Sequence, residues 1–389
     1  MDQNVKKMQF LSIKRCQLFR DTIAFKKPER IPYLSNQWTW KFLDAGYTVG
    51  EATRDYSKLE KSLDHFLSTY KVDVLIDVGV RNPFRITDAL GGSTYVDDES
   101  FELNVDDGAV FSQEDYDLIL EDYFKALWEK ALFNKYPNAK KMSAKEFANA
   151  SKEFADLLAI KSKLLIKAKD KYGVFIHSAW SFVAYEFLFN WFRGIKGIAH
   201  DIRRDPGKVK AVIAKLDSIY LDPYIELVRK MPRGIDKTMP FDIMTFWLGH
   251  TIISSKQFEQ FYWPSMKKLF DLAIETDKQM FVFSEGDWLR FAEFLTDYPK
   301  GHFAMQVELD NIYDLRKAAP NICLSGGLDV DVLGLGTPQE SIDMARRVID
   351  DLGQDGGLIL SENKMCSYAN DTKSENLKAV TDFISEYYL

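Results

Sequence analysis

Short apolar runs alternate along this chain with longer segments in which apolar residues recur at helical spacing. Eight of the runs have the length and the β-rich composition of strands: "IPYLSN" (31–36), "VDVLIDVG" (72–79), "GVFIHSA" (173–179), "PFDIMTFW" (240–247), "MFVFSEG" (280–286), "HFAMQVEL" (302–309), "ICLSGGL" (322–328) and "GLILSEN" (357–363). Most are apolar through the middle, as is typical of strands that are covered on both faces. The alternation predicts βα units whose strands are parallel.

Eight strands with intervening helices predict an α/β fold, a (β/α)8 TIM barrel. The alternative is an open doubly wound sheet, which usually has a glycine-rich phosphate turn after its first strand, and "IPYLSNQWTW" has none. A helical insertion from about residue 112 to 171 lies between strands 2 and 3, and it fits either a solvated cover or a lid or docking element. No linker rich in Pro, Gly or Ser divides the chain, so we expect one domain over residues 1–389.

Charge and composition narrow the class of partner. The formal net charge is -7, and nucleic acid binding needs a basic face that this sequence does not predict. Three cysteines that are far apart, with no CxxC pair, favour a reducing compartment. The N-terminal segment lacks the apolar core of a signal peptide, and no apolar run reaches the roughly 20 residues of a membrane span. We therefore expect a cytoplasmic protein without a nucleic acid or membrane partner.

Polar and aromatic residues accumulate where the predicted strands end, and in a TIM barrel these ends carry the catalytic groups. The residues at these positions are Gln37, Trp38, Trp40, Asp77, Arg81, His177, Trp180, Asp242, Trp247, His250, Glu285, Asp287, Trp288, Glu308, Asp310, Asp329, Glu362 and Cys366. Structural roles compete with functional ones. His177 also fits a core histidine, Asp310 and Asp329 also fit helix caps, and the tryptophans also fit a cover over the core.

Several motifs resemble those of the uroporphyrinogen decarboxylase superfamily over most of the chain. The C-terminal stretches "DNIYDLRKAAPNICLSGGLDVDVLGLGTPQE" and "DGGLILSENKMCSYANDTKSENLKAV" match the strand, GTPEE helix, GG(F/Y)IL strand and DTPPENLKA ending of the family. Upstream, "HTIISSKQFEQFYWPSMKKL", "WFRGIKGIAHDIRRDPGKV" and "KKPERIPYL" resemble its ISPExFxEFxxP, RGxxxxxxDxxxxPEKV and PDRVP motifs. The resemblance implies a (β/α)8 barrel that is an enzyme.

The superfamily contains porphyrinogen decarboxylases and methyltransferases that move methyl groups to or from a corrinoid. The decarboxylases carry an RQAGR-like stretch after the first strand, whose arginines match the carboxylates of their substrate. This chain has "SNQWTWKFLDAG" there, so a porphyrin is a poor fit. The resemblance is therefore closer to the corrinoid-dependent methyltransferases.

In that branch, an HxC motif after the fifth strand and a cysteine after the eighth bind zinc. "FSEG" aligns with HxCG, so that Phe283 and Glu285 replace the first two ligands, while Cys366 keeps the third position. Glu285 and Cys366, with His250 as a third candidate, could make a mixed zinc site within the range of ligands that zinc accepts. Without metal, Glu285 in an aromatic pocket would have a raised pKa and act as general acid.

The resulting hypothesis is transfer of a methyl group from a small O-methylated compound to the corrinoid of a separate protein, because the chain has no DxHxxG corrinoid motif. The tryptophans favour an aromatic substrate. We expect catalytic roles for Glu285, Asp287, His177 and Asp242, and substrate contacts from Gln37, Trp38, Trp40, Trp180, Trp247, Glu308 and Asp310. A lyase or decarboxylase acting on a small carboxylated substrate, and a non-catalytic corrinoid- or ligand-binding barrel, are the alternatives.

Overall fold

The computed structural model describes residues 3–80, 84–92, 94–96, 102–104, 109–177 and 180–389. Its strands are β1 Leu34–Ser35, β2 Val74–Ile76, β3 Thr94–Val96, β4 Glu102–Asn104, β5 Phe175–His177, β6 Ile243–Trp247, β7 Met280–Ser284, β8 Phe303–Gln306, β9 Cys323–Leu328 and β10 Leu358–Glu362. All eight predicted runs contain a strand, which confirms these predictions. The observed strands are shorter than the runs, because apolar sequence continues into the flanking turns.

Helices connect the parallel strands. They are α1 Gln3–Ile23, α2 Trp40–Asp44, α3 Val49–Arg54, α4 Tyr56–Thr69, α5 Phe84–Leu90, α6 Tyr116–Glu121, α7 Tyr123–Ala126, α8 Leu132–Lys135, α9 Ala144–Lys167, α10 Ala184–Phe187, α11 Gly194–Arg204, α12 Pro206–Leu216, α13 Asp222–Lys230, α14 Ser255–Gln257, α15 Trp263–Glu275, α16 Ile312–Ala318, α17 Val330–Leu335, α18 Pro338–Leu352 and α19 Ser374–Glu386. Single π turns extend several of them, at Leu127–Ala131, Ala168–Tyr172, Leu188–Phe192, Asp217–Leu221 and Phe258–Tyr262. Short 3-10 segments lie at Gln113–Asp115, Pro137–Lys141, Gly249–Ile252, Leu289–Leu295 and Ala369–Asp371.

The parallel strands form two sheets, with the orders β1-β2-β5 and β10-β9-β8-β7-β6, and β3 pairs with β4 in a separate antiparallel hairpin. Isolated parallel bridges link the two sheets at both edges. Tyr33 before β1 pairs with Leu360 of β10, and Ser181 after β5 pairs with Thr245 of β6. The architecture is therefore an α/β fold with parallel sheets, as the sequence predicts.

Side chains alternate between the two faces of each strand. On β6, Met244 and Phe246 belong to a compact inner cluster, whereas Ile243 and Trp247 belong to a larger outer cluster. The inner cluster consists of Phe19, Ile23, Leu34, Val74, Ile76, Phe241, Met244, Phe246, Phe281, Phe283, Ala304, Cys323 and Ile359. Strands as distant as β1 and β8 contribute to this cluster, so it lies on a face that the two sheets share, which we call the inner face. The outer cluster joins the strands to the helices.

Local sequence signals explain several helix starts. The Thr337 side chain accepts a hydrogen bond from the backbone N–H of Glu340, the Glu340 side chain accepts one from the backbone N–H of Thr337, and Pro338 occupies the first helical position of α18. This is a capping box with proline where its missing N–H costs nothing. The helix start predicted at this position is confirmed.

Between β2 and β5 the described residues form α5 to α9 and the β3–β4 hairpin. The long helix α9 is tied to the end of β2, because Lys161 Nζ lies 2.7 Å from Asp77 Oδ2. Asp77 has a φ of 58°, and its other carboxylate oxygen accepts the N–H groups of Val78 and Gly79. Within the described ranges, no helix has the length and hydropathy that crossing a membrane requires.

Candidate active site

The carboxyl-terminal part of the inner face carries side chains from each of the eight parallel strands. By alternation along the strands they are Asn36, Ile76, His177, Phe246, Phe283, Gln306, Ser325 and Ser361. They divide into two arcs. The aromatic arc, as we call it, consists of Ile76, His177, Phe246 and Phe283, from β2, β5, β6 and β7. The polar arc consists of Gln306, Ser325, Ser361 and Asn36, from β8, β9, β10 and the end of β1. We call this end of the fold, where the strands finish, the mouth.

Trp180 completes the aromatic arc. Its ring stacks on Phe246 with centroids 4.0 Å apart and an interplanar angle of 5°, and Phe283 meets it edge-on at 6.0 Å. The buried His177 packs against Phe241 at 4.6 Å and against Trp180 at 6.1 Å. Trp180 and the neighbouring Phe182 are only partly buried, so the aromatic surface reaches solvent at the mouth. Flat apolar ligands stack on such a surface.

The exit of β7 places two glutamates beside this surface. The Glu285 N–H bonds the carbonyl of Trp247 and so continues the ladder between β6 and β7, which puts Glu285 on the inward side with Phe283. Gly286 follows with a φ of 70°, and an added Cβ there would lie 2.6 Å from the Thr251 methyl group, so only glycine fits. Glu308, from the end of β8, accepts the Gly286 N–H. Burial raises the pKa of Glu308.

Two other predicted acids shape the loop after β7. The Asp310 carboxylate accepts the N–H groups of Trp288 at 2.6 Å and Leu289 at 3.0 Å, so it caps the turn there, and its expected contact with substrate stays a prediction. The half-exposed Asp287 pairs with Arg290 at 3.2 Å. Asp287 also contributes its carbonyl, which lies 3.0 Å from Nε2 of His250. Both carboxylates therefore hold the loop in place.

The expectation that Asp242 lies at the mouth is wrong. Asp242 precedes β6 and so lies at the opposite end of the strand. There it receives two hydrogen bonds from the buried Arg20, at 2.6 and 3.1 Å. It also accepts the backbone N–H groups of Gln279 and Asp236. Its role is to join α1 to the amino ends of β6 and β7.

The expected substrate contact of Trp247 is also wrong, because its ring is on the outward face. It packs with Phe258, Tyr262, Trp288 and Phe291 in the outer cluster. His250 belongs to the same aromatic environment, where burial lowers its pKa from 6.5 to about 4. Trp247 faces outward because side chains alternate along the strand, and its neighbour Phe246 faces inward.

The remaining predicted residues form the seam between β1 and β10. Gln37 Nε2 donates to Glu362 at 2.9 Å, Trp40 Nε1 donates to the Thr372 carbonyl at 2.8 Å, and the Trp38 N–H donates to the Cys366 carbonyl at 2.8 Å. All of these side chains are buried. Gln37 and Trp40 therefore hold the seam together, and their contacts with substrate stay a prediction. Arg81, also singled out from the sequence, lies outside the described residues.

The three candidate zinc ligands do not fit a common metal site. His250 packs in the outer cluster, whereas Glu285 is on the inward side of β7. The Cys366 thiol is fully buried at the β1–β10 seam, where burial and the nearby Glu362 raise its pKa well above the usual value, and thiolate is the form that binds zinc. In the described part of the chain, no three His, Cys, Asp or Glu residues are grouped so as to hold a metal ion.

Sequence reasoning missed Lys41, Asn36 and Gln306. Lys41 is fully buried at the exit of β1, where its ammonium donates to the Gln37 carbonyl and burial lowers its pKa to about 7. Asn36 and Gln306 are polar residues of the inward face, with 1% and 0% of their surface exposed. A polar residue inside an apolar run was the available signal, as in "FAMQVEL" and "PYLSNQW".

Comparisons with known proteins agree on the fold. The family model described as "Uroporphyrinogen decarboxylase (URO-D)" matches residues 143–387. Among solved structures, a methyltransferase from Methanosarcina mazei matches with a TM-score of 0.60 and 14% sequence identity, over 96% of this chain and 98% of that one. At this identity the likeness is one of fold. No curated protein sequence matches the chain.

Proposed function

This chain belongs to the uroporphyrinogen decarboxylase (URO-D) family, and from that premise we propose that it is a methyltransferase of the corrinoid-dependent branch. We take the eight parallel strands, bridged at both seams, to form a closed (β/α)8 barrel with the active site at its mouth. The substrate is a small O-methylated compound, and the methyl acceptor is the corrinoid of a separate protein.

The aromatic arc with Trp180 is the observation that carries this proposal. Trp180, Phe246 and Phe283 offer an apolar wall of the size of a methoxylated ring, partly open to solvent. Phe283 occupies the position at which the related motif has a zinc-binding histidine, and here its ring belongs to the wall. In place of a metal ligand, the sequence therefore supplies a surface for stacking.

The carboxylates beside the wall suit the leaving group. When the substrate carbon–oxygen bond breaks, its electron pair stays on oxygen, which needs a proton. Glu285 lies on the inward side, two residues after Phe283, and is the proposed general acid, with Glu308 beside it. A reduced corrinoid carried by the partner supplies the nucleophile that accepts the methyl group. No step is assigned to zinc, because the candidate ligands do not come together.

The test mixes the protein with reduced corrinoid proteins and a panel of methoxylated aromatic compounds, and follows the absorption change of the corrinoid upon methylation. Glu285→Gln keeps the size of the side chain and removes its acid function, so transfer from an ether should fall at least about 100-fold. Glu259→Gln, at an exposed position in the π turn Phe258–Tyr262, is the matched control. Absence of transfer across the panel would count against the proposal.

A second candidate is a lyase that decarboxylates a small acid, and Lys41 favours it. Lys41 is a buried ammonium group near Asp77 at the exit of β1, the position at which related decarboxylases use arginine. Release of carbon dioxide without corrinoid, lost in Lys41→Met, would identify this reaction. The non-catalytic alternative predicts ligand binding without either product.

A further inference from the structure

The polar arc contains two buried amide side chains with the same arrangement. Asn36 Nδ2 donates to the Glu362 carbonyl at 2.8 Å, and Gln306 Nε2 donates to the Asn363 carbonyl at 3.5 Å. A backbone carbonyl only accepts hydrogen bonds, so the nitrogen of each amide faces it and the amide oxygen faces away. The carbonyls of two consecutive residues at the exit of β10 thus accept from both amides, closely from Asn36 and at longer range from Gln306.

The oxygen atoms of these two amides accept no hydrogen bond from the described residues. Neither Asn36 Oδ1 nor Gln306 Oε1 has a hydrogen-bond partner among the described residues, although both side chains are almost completely buried. A buried acceptor without a partner is unfavourable, and such atoms in native proteins call for an explanation. Because both residues are on the inward face, a ligand in the mouth is the partner that can approach them.

The rest of the arc is consistent with a ligand that donates hydrogen bonds. Ser325 of β9 and Ser361 of β10 lie between the two amides in strand order, and their hydroxyl groups are 3.1 Å apart. The two amide oxygens without partners therefore lie on a polar side of the inner face, whereas the opposite side is apolar and aromatic. A ligand that spans the mouth meets acceptors at one end and aromatic rings at the other.

We propose that Gln306 and Asn36 are specificity-determining residues that accept hydrogen bonds from a hydroxyl or N–H group of the substrate, at the end opposite to its methyl group. This inference rests on the proposed function and narrows its substrate class to methylated compounds with such a donor, for example a methoxyphenol. On its way to the amides, the ligand displaces partly buried side chains that pack against the inner cluster, such as Met365.

Two probes of nearly equal shape test the inference by binding alone. 2-Methoxyphenol has one donor, and in 1,2-dimethoxybenzene a methyl group replaces that hydrogen. Binding is measured by calorimetry and by the change in tryptophan fluorescence that stacking on Trp180 causes. We expect the protein to bind the methoxyphenol about tenfold more tightly, which is the effect of one hydrogen bond. Gln306→Met should abolish this preference and leave the affinity for dimethoxybenzene within about twofold.

Controls separate recognition from folding. Ser284→Ala removes another buried polar atom without a partner among the described residues, but from the outward face of β7, and should leave the preference unchanged. If Gln306→Met folds poorly, Gln306→Glu serves in its place. It keeps an acceptor at the site and should retain the preference for the methoxyphenol. Equal binding of the two probes by the wild-type protein, binding of neither, or a preference that survives either Gln306→Met or Asn36→Leu would overturn the inference. A retained preference without methyl transfer would instead reject the proposed function.

Discussion

Replacing Asp242 by alanine should destabilise the fold strongly and leave the chemistry of the mouth intact. The carboxylate receives two hydrogen bonds from Arg20, and the side chains of Arg20 and Asp242 are 1% and 5% exposed. Removing one member of a buried pair leaves an uncompensated charge and costs about 3–5 kcal/mol. The N–H groups of Gln279 and Asp236 lose their acceptor as well. Because these losses overlap, we expect about 4 kcal/mol in total.

Urea unfolding followed by circular dichroism measures this loss, and ligand binding below the transition measures function. Glu275→Ala is the matched control, because it removes a carboxylate from a two-bond pair with Arg229 whose side chains are 43% and 50% exposed. Exposed pairs contribute little to stability, because solvent screens their charges. The double variant Arg20→Met with Asp242→Leu should recover part of the loss, since no buried charge remains. If Asp242→Ala lost activity at unchanged stability, the assignment of Asp242 to the fold would be refuted.

Three further outcomes are expected. The pKa of His250 is about 4 in the folded protein against 6.5 in the unfolded chain, so its contribution to stability is fully present above pH 6.5 and is lost as the pH falls towards 4. Between pH 7 and pH 5, this group alone should lower the free energy of unfolding by about 2 kcal/mol. Urea midpoints that fall equally in His250→Phe would contradict this expectation. Cys366→Ser should still bind ligand, and elemental analysis should find the same metal content as in the wild-type protein. If bound zinc and activity were lost together, Cys366 would be a zinc ligand after all. Gly286→Ala should lower the free energy of unfolding by about 2 kcal/mol, because of the positive φ and the contact with Thr251. In thermal unfolding, Thr251→Ser should restore part of that stability. Unchanged stability of Gly286→Ala would disprove the strain.

Local sequence signals determined the elements of this protein. The eight strand runs are recognisable because strands covered on both faces are continuously apolar, and the start of α18 is recognisable because its capping box is formed by adjacent residues. These features depend on interactions within a few positions of the chain. The family motifs are local in the same sense, and the match of the family model to residues 143–387 confirms the family to which they point.

Tertiary structure decided which of the candidate residues meet. The sequence places Asp242, Trp247 and His250 near one strand, but Asp242 precedes β6, and Trp247 and His250 pack outward. A strand boundary displaced by a few residues moves a side chain from one end of the fold to the other, and a shift of one residue moves it between faces. Asn36 and Gln306 are 270 positions apart in the numbering, yet both bind carbonyls at the exit of β10. Such a pair depends on strand order and register, which long-range pairing fixes only in the folded chain.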